Sequence, residues 1–252
     1  MTSRTFTAAN DPKPLIDPTS VRNFFEQRAH KAEALGPVRA VIYQDKNSTL
    51  AEQRDAAEKA LLFPLVDAGA RDTVLDAGCG TGRWAEVLIP VCGQYHGIDA
   101  SSGLVEIARR RFGHCANARF DVVPVDDLAS NCDLASLRFS RIISFGVYIY
   151  LNDDAVEAAL EQLCMVAAPL AKVVLREPVA TGQRLTLTEF YSEDMDQNYS
   201  AIYRPEAELM QLFDRTLGAS GFRLEASGDV FDAGLNNRAE TRQRWFVWSR
   251  GS

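Results

Sequence analysis

The chain has 252 residues, of which 46% are hydrophobic and 24% are charged. This balance is typical of a globular protein with a sizeable core, and the length suits one large domain or one domain with an appendage. The net charge of -7, from 27 basic and 34 acidic residues, argues against a protein that binds the nucleic-acid backbone. We therefore expect no nucleic-acid partner.

Cysteine usage and hydropathy predict a soluble, cytoplasmic protein. The five cysteines are odd in number, form no CxxC pair and have no histidine at ligand spacing, so we expect reduced thiols and no bound metal. We find neither a signal-peptide pattern nor a run of about 18 apolar residues, so no membrane association is expected. Residues 1–17 are polar and contain prolines, and we expect them to be a flexible N-terminus.

Two helical patterns come first along the chain. The first opens at Ser20, which we interpret as an N-cap. The second opens with the capping box Thr49-x-x-Glu52 and runs towards Pro64. Because no strand pattern follows either helix, residues 18–70 are predicted to form an N-terminal helical cap.

After residue 71, short apolar runs alternate with amphipathic helical patterns. Strands are predicted over residues 73–75, 95–98, 120–123, 141–145, 171–175, 222–224 and 245–248. Helices are predicted over 83–89 and 104–112, from residue 152 or 153 onwards, and from Pro205 onwards. Such alternation predicts an α/β fold over residues 71–252, with a doubly wound, mostly parallel seven-stranded sheet covered on both faces.

The segment over residues 179–203 does not fit this alternation. A connection of this length is unusual in a compact domain, and long insertions at the carboxyl edge of a sheet commonly contact substrate. Tyr191, Tyr199 and Tyr203 stand there among acidic residues, a combination that suits an ammonium-bearing substrate. A solvated acidic loop explains most of the same acids, and both interpretations stay open.

The stretch VLDAGCGTGRW, residues 74–84, places a glycine-rich turn directly after the first predicted strand. Glycines there let the backbone approach a cofactor closely. The spacing departs from the dinucleotide pattern G-x-G-x-x-G, because Arg83 stands at the third glycine position. Asp76, just ahead of the turn, would repel a diphosphate and attract a cationic ligand. S-adenosylmethionine is such a ligand, with an ammonium and a sulfonium group.

The segment D-A-G-C-G-T-G, residues 76–82, resembles motif I of the class I S-adenosylmethionine-dependent methyltransferases. The resemblance covers about residues 71–178 well and continues more weakly to the end. It implies S-adenosylmethionine as the cofactor, S-adenosylhomocysteine as the product, and Asp99 as the acceptor of hydrogen bonds from both ribose hydroxyls. Asp99 lies 19 positions after Gly80, a spacing that dinucleotide folds share, so this residue alone does not discriminate.

Further cofactor contacts are implied by the same resemblance. Val125 and Asp126 would hold the adenine, although many relatives have an aspartate where this chain has Pro124. Alternatively, Asp126 and its neighbour Asp127 only cap the next helix. Arg83 would clamp the methionine carboxylate or, alternatively, face solvent. The predicted cofactor-binding residues are Asp76, Gly78, Cys79, Gly80, Gly82, Arg83, Asp99, Ala100, Val125, Asp126 and Phe145.

Methyl transfer is an in-line displacement that depends on alignment, with a base needed only for a protonated acceptor. The predicted catalytic residues are Tyr148, which would orient the acceptor, Glu177, which would bind a cationic acceptor or take its proton, and His30 as a base. Arg176 is predicted to bind an acidic group of the substrate, together with Tyr191, Tyr199 and Tyr203. Alternatively, Tyr148 is a packed core residue, and Arg176 and Glu177 pair with each other or with the 179–203 insert.

These features favour a methyltransferase that acts on a nitrogen or oxygen of a small-molecule metabolite, as a monomer or homodimer. A second hypothesis is a protein or peptide N-methyltransferase, whose acidic insert would receive a basic tail. A nicotinamide-dependent oxidoreductase and a non-catalytic cofactor-binding protein are less favoured alternatives.

Overall fold

The structure is a computed structural model that describes residues 3–232, 235 and 238–251. Its strands are β1 Ser3–Thr7, β2 Thr73–Ala77, β3 Gln94–Asp99, β4 Ala118–Val122, β5 Phe139–Phe145, β6 Ala167–Ala180, β7 Arg184–Ser192, β8 Gln197–Tyr203, β9 Arg223–Asp229 and β10 Thr241–Arg250. Its α-helices are α1 Pro18–Leu35, α2 Pro37–Ile42, α3 Ser48–Val66, α4 Ala85–Leu88, α5 Ser102–Phe112, α6 Cys132–Ser136, α7 Asp153–Val166 and α8 Glu206–Phe213.

A seven-stranded sheet forms the centre of the fold, with strand order β4-β3-β2-β5-β6-β10-β9. Strands β2 to β6 pair in parallel, whereas β10 runs antiparallel to both of its neighbours. The predicted doubly wound, mostly parallel sheet is therefore confirmed. In the described part of the chain, no helix is long and apolar enough to cross a membrane.

Both faces of this sheet are buried because successive side chains of a strand point to opposite sides. In β2, Leu75 belongs to one apolar cluster and Val74 to the other. The first cluster is completed by α7, which contributes Val156, Leu160 and Leu163. The second contains Leu62 and Val66 of α3. Although the sequence placed α3 in the N-terminal cap, its apolar side chains therefore pack on the central sheet.

The first and third helices begin earlier than the sequence predicted. Asp17 caps α1, because its carboxylate accepts the backbone N–H groups of Thr19 and Ser20. The predicted N-cap Ser20 is therefore inside the helix. In the same way, the side chain of Asn47 caps α3, which begins one residue before the predicted capping box.

A second, three-stranded antiparallel sheet with order β1-β7-β8 lies outside the central sheet. Strands β7 and β8 form a hairpin from the predicted insert over residues 179–203. Strand β1 pairs along the hairpin, with Ser3 opposite Thr188 and Thr7 opposite Arg184, so this part of the predicted flexible N-terminus is ordered. We refer to α1, α2 and this sheet together as the cap.

Asp153, at the start of α7, joins the cap to the central sheet domain. Its carboxylate accepts hydrogen bonds from Arg184 of β7 at 2.9 Å and from Arg204 after β8 at 2.8 Å. Both guanidinium groups are buried. Burial alone would raise the pKa of Asp153, but the hydrogen bonds and charges of the two arginines outweigh it and hold the pKa well below its usual value.

We predict that Asp153→Ala lowers the free energy of unfolding by about 3 kcal/mol, because the buried Arg204 loses its carboxylate partner and the buried Arg184 keeps only Glu208. Urea unfolding at neutral pH measures this change. Since folding depresses the pKa of Asp153 below 3.8, its stabilisation is present above that pH and is lost on further acidification.

The exposed neighbour Asp154 provides the control. Asp154→Ala is expected to change the free energy of unfolding by less than about 0.5 kcal/mol. Equal effects of the two substitutions would contradict the joining role of Asp153.

Candidate active site

A cavity of about 660 Å³ lies between the carboxyl ends of the parallel strands and the cap. Ligands of open α/β sheets bind at this edge. The wall combines the loops that follow β2, β3, β4 and β5 with side chains of α1, α2 and the β7–β8 hairpin. The cap therefore covers the position where the sequence predicted the cofactor.

The glycine turn after β2 adopts backbone angles that are unfavourable for residues other than glycine. Gly78, Gly80 and Gly82 have φ angles of 85°, 53° and 75°, in the left-handed region that favours glycine. The N–H groups of Gly78 and Cys79 both donate to the Ile98 carbonyl, at 2.8 and 2.9 Å. The end of β3 thus fixes the start of the turn.

The first part of the turn reaches the cavity, and the second part does not. Gly78, Cys79 and Gly80 are part of the cavity wall, whereas Gly82 is not. A Cβ atom on Gly82 would lie 3.0 Å from the ring of Phe112. Gly82 therefore allows the turn to pack on α5, and its prediction as a direct cofactor contact is not supported.

Asp99, at the end of β3, holds two loops together. Its Oδ2 accepts the Gly80 N–H and its Oδ1 accepts the Ser101 N–H, both at 2.9 Å. A carboxylate oxygen can accept more than one hydrogen bond, so Asp99 keeps acceptor capacity for hydroxyl groups. Burial raises the pKa of Asp99 to about 6, against the lowering effect of the two backbone donors. Asp99 and Ala100 both line the cavity, as predicted.

Asp76 presents a second buried carboxyl group to the cavity. Its Oδ2 accepts the hydroxyl of Tyr95 at 2.5 Å. Burial raises the pKa of Asp76 to about 7, and the Tyr95 hydrogen bond opposes that rise. A cation bound beside Asp76 would favour the ionised form, which agrees with the predicted role of this residue.

Arg83 lines the cavity but is already paired with two acids of α3. Its Nη1 lies 2.7 Å from Asp55 and its Nη2 lies 2.5 Å from Glu58. Glu58 also binds Arg176, at 2.9 Å. Burial would raise the pKa of Glu58, but the charges of Arg176 and Arg83 hold it below its usual value. Arg83 is 6% exposed, so the alternative of a solvent-facing side chain is wrong, and the carboxylate clamp stays a prediction.

The loop after β4 and the end of β5 also reach the cavity. Val125, Asp126 and Phe145 line it, as predicted. Val125 begins a 3₁₀ turn over Val125–Ser130. The following helix α6 is capped by Asn131, so the alternative that Asp126 and Asp127 cap that helix is wrong.

Two of the predicted catalytic residues lie away from the cavity. Tyr148 is fully buried in the apolar core, where its ring packs edge-on against Phe213 at 6.1 Å between centroids. This is the alternative that the sequence left open. His30 is exposed on α1 and is not part of the cavity wall, so the structure does not support it as a base.

Glu177, the third predicted catalytic residue, holds a backbone turn. Its carboxylate accepts the N–H groups of Val147, Tyr148 and Ile149 at 2.8, 3.0 and 3.2 Å. Burial raises the pKa of Glu177 to about 7, and these backbone donors oppose the rise. Glu177 is buried and is not part of the cavity wall. The prediction that it binds or deprotonates the acceptor is therefore not supported, and it acts as a structural anchor.

All four predicted substrate-binding residues line the cavity: Arg176, Tyr191, Tyr199 and Tyr203. Tyr199 and Tyr203 are buried, and their hydroxyl oxygens lie 3.5 Å apart. Tyr191 is 53% exposed and donates to Asp196. The nearby acids Glu193 and Asp194 are exposed. The rings and these two acids therefore share the cavity wall, so both interpretations of the insert stay open.

Other cavity residues were not predicted from the sequence. Arg54 and Glu58 of α3 face the cavity, but a basic and an acidic residue four positions apart are typical of a solvent-exposed ion pair. Arg238 lines the cavity from the loop between β9 and β10. Tyr150 also lines the cavity, with its ring centroid 6.5 Å from that of Tyr43.

Comparisons with known proteins agree with this geometry. Residues 74–169 match the family model described as a methyltransferase domain, and no curated protein sequence matches the chain. The fold is similar to that of magnesium protoporphyrin IX methyltransferase from Synechocystis PCC 6803 with bound SAM, at 18% identity and a TM-score of 0.62, over 96% of this chain and 100% of that chain.

Two further solved structures share the fold. The DhpI–SAH complex has 19% identity and a TM-score of 0.62, over 93% of this chain and 97% of that chain. Phosphoethanolamine N-methyltransferase 1 from Haemonchus contortus has 14% identity and a TM-score of 0.67, over 94% of this chain and 50% of that chain. The family match identifies a methyltransferase domain over residues 74–169, and the chain shares the fold of these methyltransferase structures.

Proposed function

We propose that this protein transfers a methyl group from S-adenosylmethionine to a nitrogen or oxygen atom of a small molecule. The observation that carries the proposal is the cavity of about 660 Å³, which connects the glycine turn and Asp99 to the buried tyrosines of the cap. Volumes of about 300–1,000 Å³ are typical of sites for small ligands. One cavity thus has a wall for the cofactor and a wall for the acceptor.

The residues at the glycine turn fit S-adenosylmethionine. The carboxylate of Asp99 has acceptor capacity left for the ribose hydroxyls, since each oxygen accepts one backbone N–H. Asp76 would attract the ammonium group, and Val125 and Asp126 lie where the adenine is expected. When bound, the cofactor supplies a methyl group activated by the sulfonium.

The cap residues would align the acceptor and exclude water. Phe25 and Tyr43 line the cavity from this side and Tyr150 lines it from the loop after β5, and the Phe25 and Tyr150 rings are 4.9 Å apart. Burial raises the pKa of Tyr43 to about 12, although a hydrogen bond with Tyr150 opposes the rise. These hydroxyls are therefore neutral at physiological pH and suit orientation by hydrogen bonding.

The lining of the cavity supports a small acceptor over a protein tail. Met195, Tyr199 and Tyr203 line the cavity and belong to a continuous apolar cluster. Apolar and aromatic linings are typical of sites for small ligands. The exposed acids Glu193 and Asp194 also line the cavity, and they are the feature that a basic protein tail would contact.

The acceptor class is tested by incubating the protein and a cell extract with cofactor labelled in its methyl group. We expect the label in the small-molecule fraction. A Gly80→Val variant serves as the control, because a side chain in the left-handed region strains the turn and removes cofactor binding. Label that enters the protein fraction in a Gly80-dependent manner would contradict a small acceptor.

We predict that Asp99→Ala weakens S-adenosylhomocysteine binding by about 1–3 kcal/mol, through the loss of charge-assisted hydrogen bonds. Isothermal calorimetry measures the change. The matched control is Asp127→Ala, because Asp127 is exposed and is not part of the cavity wall. Unchanged affinity in Asp99→Ala would rule out the ribose role, and tight NAD binding by the native protein would favour an oxidoreductase.

Cofactor affinity should also depend on the charge of Asp76. Because burial raises its pKa to about 7, the carboxyl group is mostly neutral at pH 6 and mostly ionised at pH 7.5. The ratio of native to Asp76→Asn affinity for S-adenosylhomocysteine should therefore rise about fivefold over this range. Taking the ratio cancels titration of the ligand, and a ratio that does not change with pH would contradict the role of Asp76.

A further inference from the structure

The charge of Arg54 is not balanced by a carboxylate in contact with it. Arg54 lies on α3 and is 5% exposed. Its Nε donates to the Leu235 carbonyl at 2.8 Å. Among the residues that the structure describes, its buried Nη1 has no hydrogen-bond partner, and no carboxylate oxygen lies within 4.0 Å of the guanidinium nitrogens.

The other buried arginines of the described chain differ in this respect. Arg28 pairs with Asp45, Arg83 with Asp55 and Glu58, and both Arg184 and Arg204 with Asp153. A buried charge without a partner is costly, so proteins rarely keep one for packing alone. Because Arg54 lines the cavity, the missing partner is readily supplied by a ligand.

The surroundings of Arg54 favour an anion at the acceptor side of the cavity. Arg238 also lines the cavity, and its Nη2 donates to the Tyr199 hydroxyl at 2.5 Å. The charge of Asp194 acts on Arg54, but Asp194 is exposed and forms no salt bridge with it. The buried acid Glu58 also lines the cavity, but it is already paired with Arg83 and Arg176. The lining acids Glu193 and Asp194 are exposed, so an anion bound here would meet Arg54 and the half-buried Arg238.

We infer that the methyl acceptor carries an anionic group, a carboxylate or a phosphate, that binds to Arg54 while the rest of the molecule packs against the tyrosines of the cap. This inference rests on the proposed function, since it specifies the acceptor of that reaction. The planar guanidinium suits both groups, because its N–H donors match paired oxygen atoms. The acceptor is thus opposite in charge to the ammonium compound that the acidic insert suggested.

Paired probes test the inference on protein saturated with S-adenosylhomocysteine. Benzoate is compared with benzamide, and phenyl phosphate with phenol, by calorimetric titration. We expect the anionic member of at least one pair to bind tenfold or more tightly than its neutral partner. The pair with the larger ratio distinguishes a carboxylate from a phosphate.

Variants assign that preference to one side chain. Arg54→Gln is expected to remove the preference for the anion while S-adenosylhomocysteine affinity stays within twofold, and Arg54→Lys is expected to retain part of it. Arg110→Gln is the control, because Arg110 is exposed on α5 and forms no salt bridge among the described residues. Far-ultraviolet circular dichroism checks that each variant is folded.

The outcomes separate this inference from the proposed function. Equal binding within both pairs, no binding of any probe, or a preference that persists in Arg54→Gln would overturn the anionic acceptor. Should Arg54→Gln fail to fold, the native ratios and Arg54→Lys still decide the question. Native protein that does not bind S-adenosylhomocysteine would instead contradict the proposed methyltransferase function.

Discussion

The geometry of the cavity depends on the carboxylate of Asp99 and the two backbone N–H groups that it accepts. One oxygen binds Gly80 in the turn after β2, and the other binds Ser101 in the turn after β3. Because these strands are parallel neighbours, one side chain holds two loops in a single arrangement. The same carboxylate lines the cavity, so the residue that builds this wall also offers acceptors to a ligand. This double use accounts for a half-buried carboxyl group at the end of β3.

The central sheet and the cofactor side of the cavity could be predicted from local sequence patterns. Each parallel strand and its helix form a continuous segment, and the glycine turn needs backbone angles that few residues adopt. The three-stranded sheet of the cap could not be predicted in this way. Strand β1 pairs with β7 across the length of the chain, with Thr7 opposite Arg184. Such pairing depends on tertiary contacts. The alternation of apolar and polar residues over 185–188 is compatible with a strand, but it does not indicate the partner strand.

The catalytic predictions failed because the sequence does not show in which direction each side chain points. Arg176 and Glu177 are neighbours near the end of β6, and adjacent residues of a strand point to opposite faces. Arg176 faces the cavity, and Glu177 turns to the backbone of the loop after β5. Side chains of that loop also point in different directions, because Tyr148 packs in the core and Tyr150 lines the cavity. Strand alternation favours one member of the first pair, but only the packing of the cap shows which side the cavity occupies.

The buried arginines differ in whether a carboxylate of the protein pairs with them, and this difference separates structural arginines from a binding residue. Asp153 forms salt bridges with Arg184 and Arg204. Arg204 also donates hydrogen bonds to the carbonyls of Tyr148 and Leu151. Arg204 is thus saturated by protein groups, as a fixed joint between cap and core requires. Arg54 has one carbonyl and a buried donor without a partner. Arg184 also has a buried Nε without a partner, but its charge is paired with Asp153 and Glu208. Among the described residues, Arg54 combines an unpartnered donor with an unpaired charge in the cavity wall, as a binding site for an anion requires.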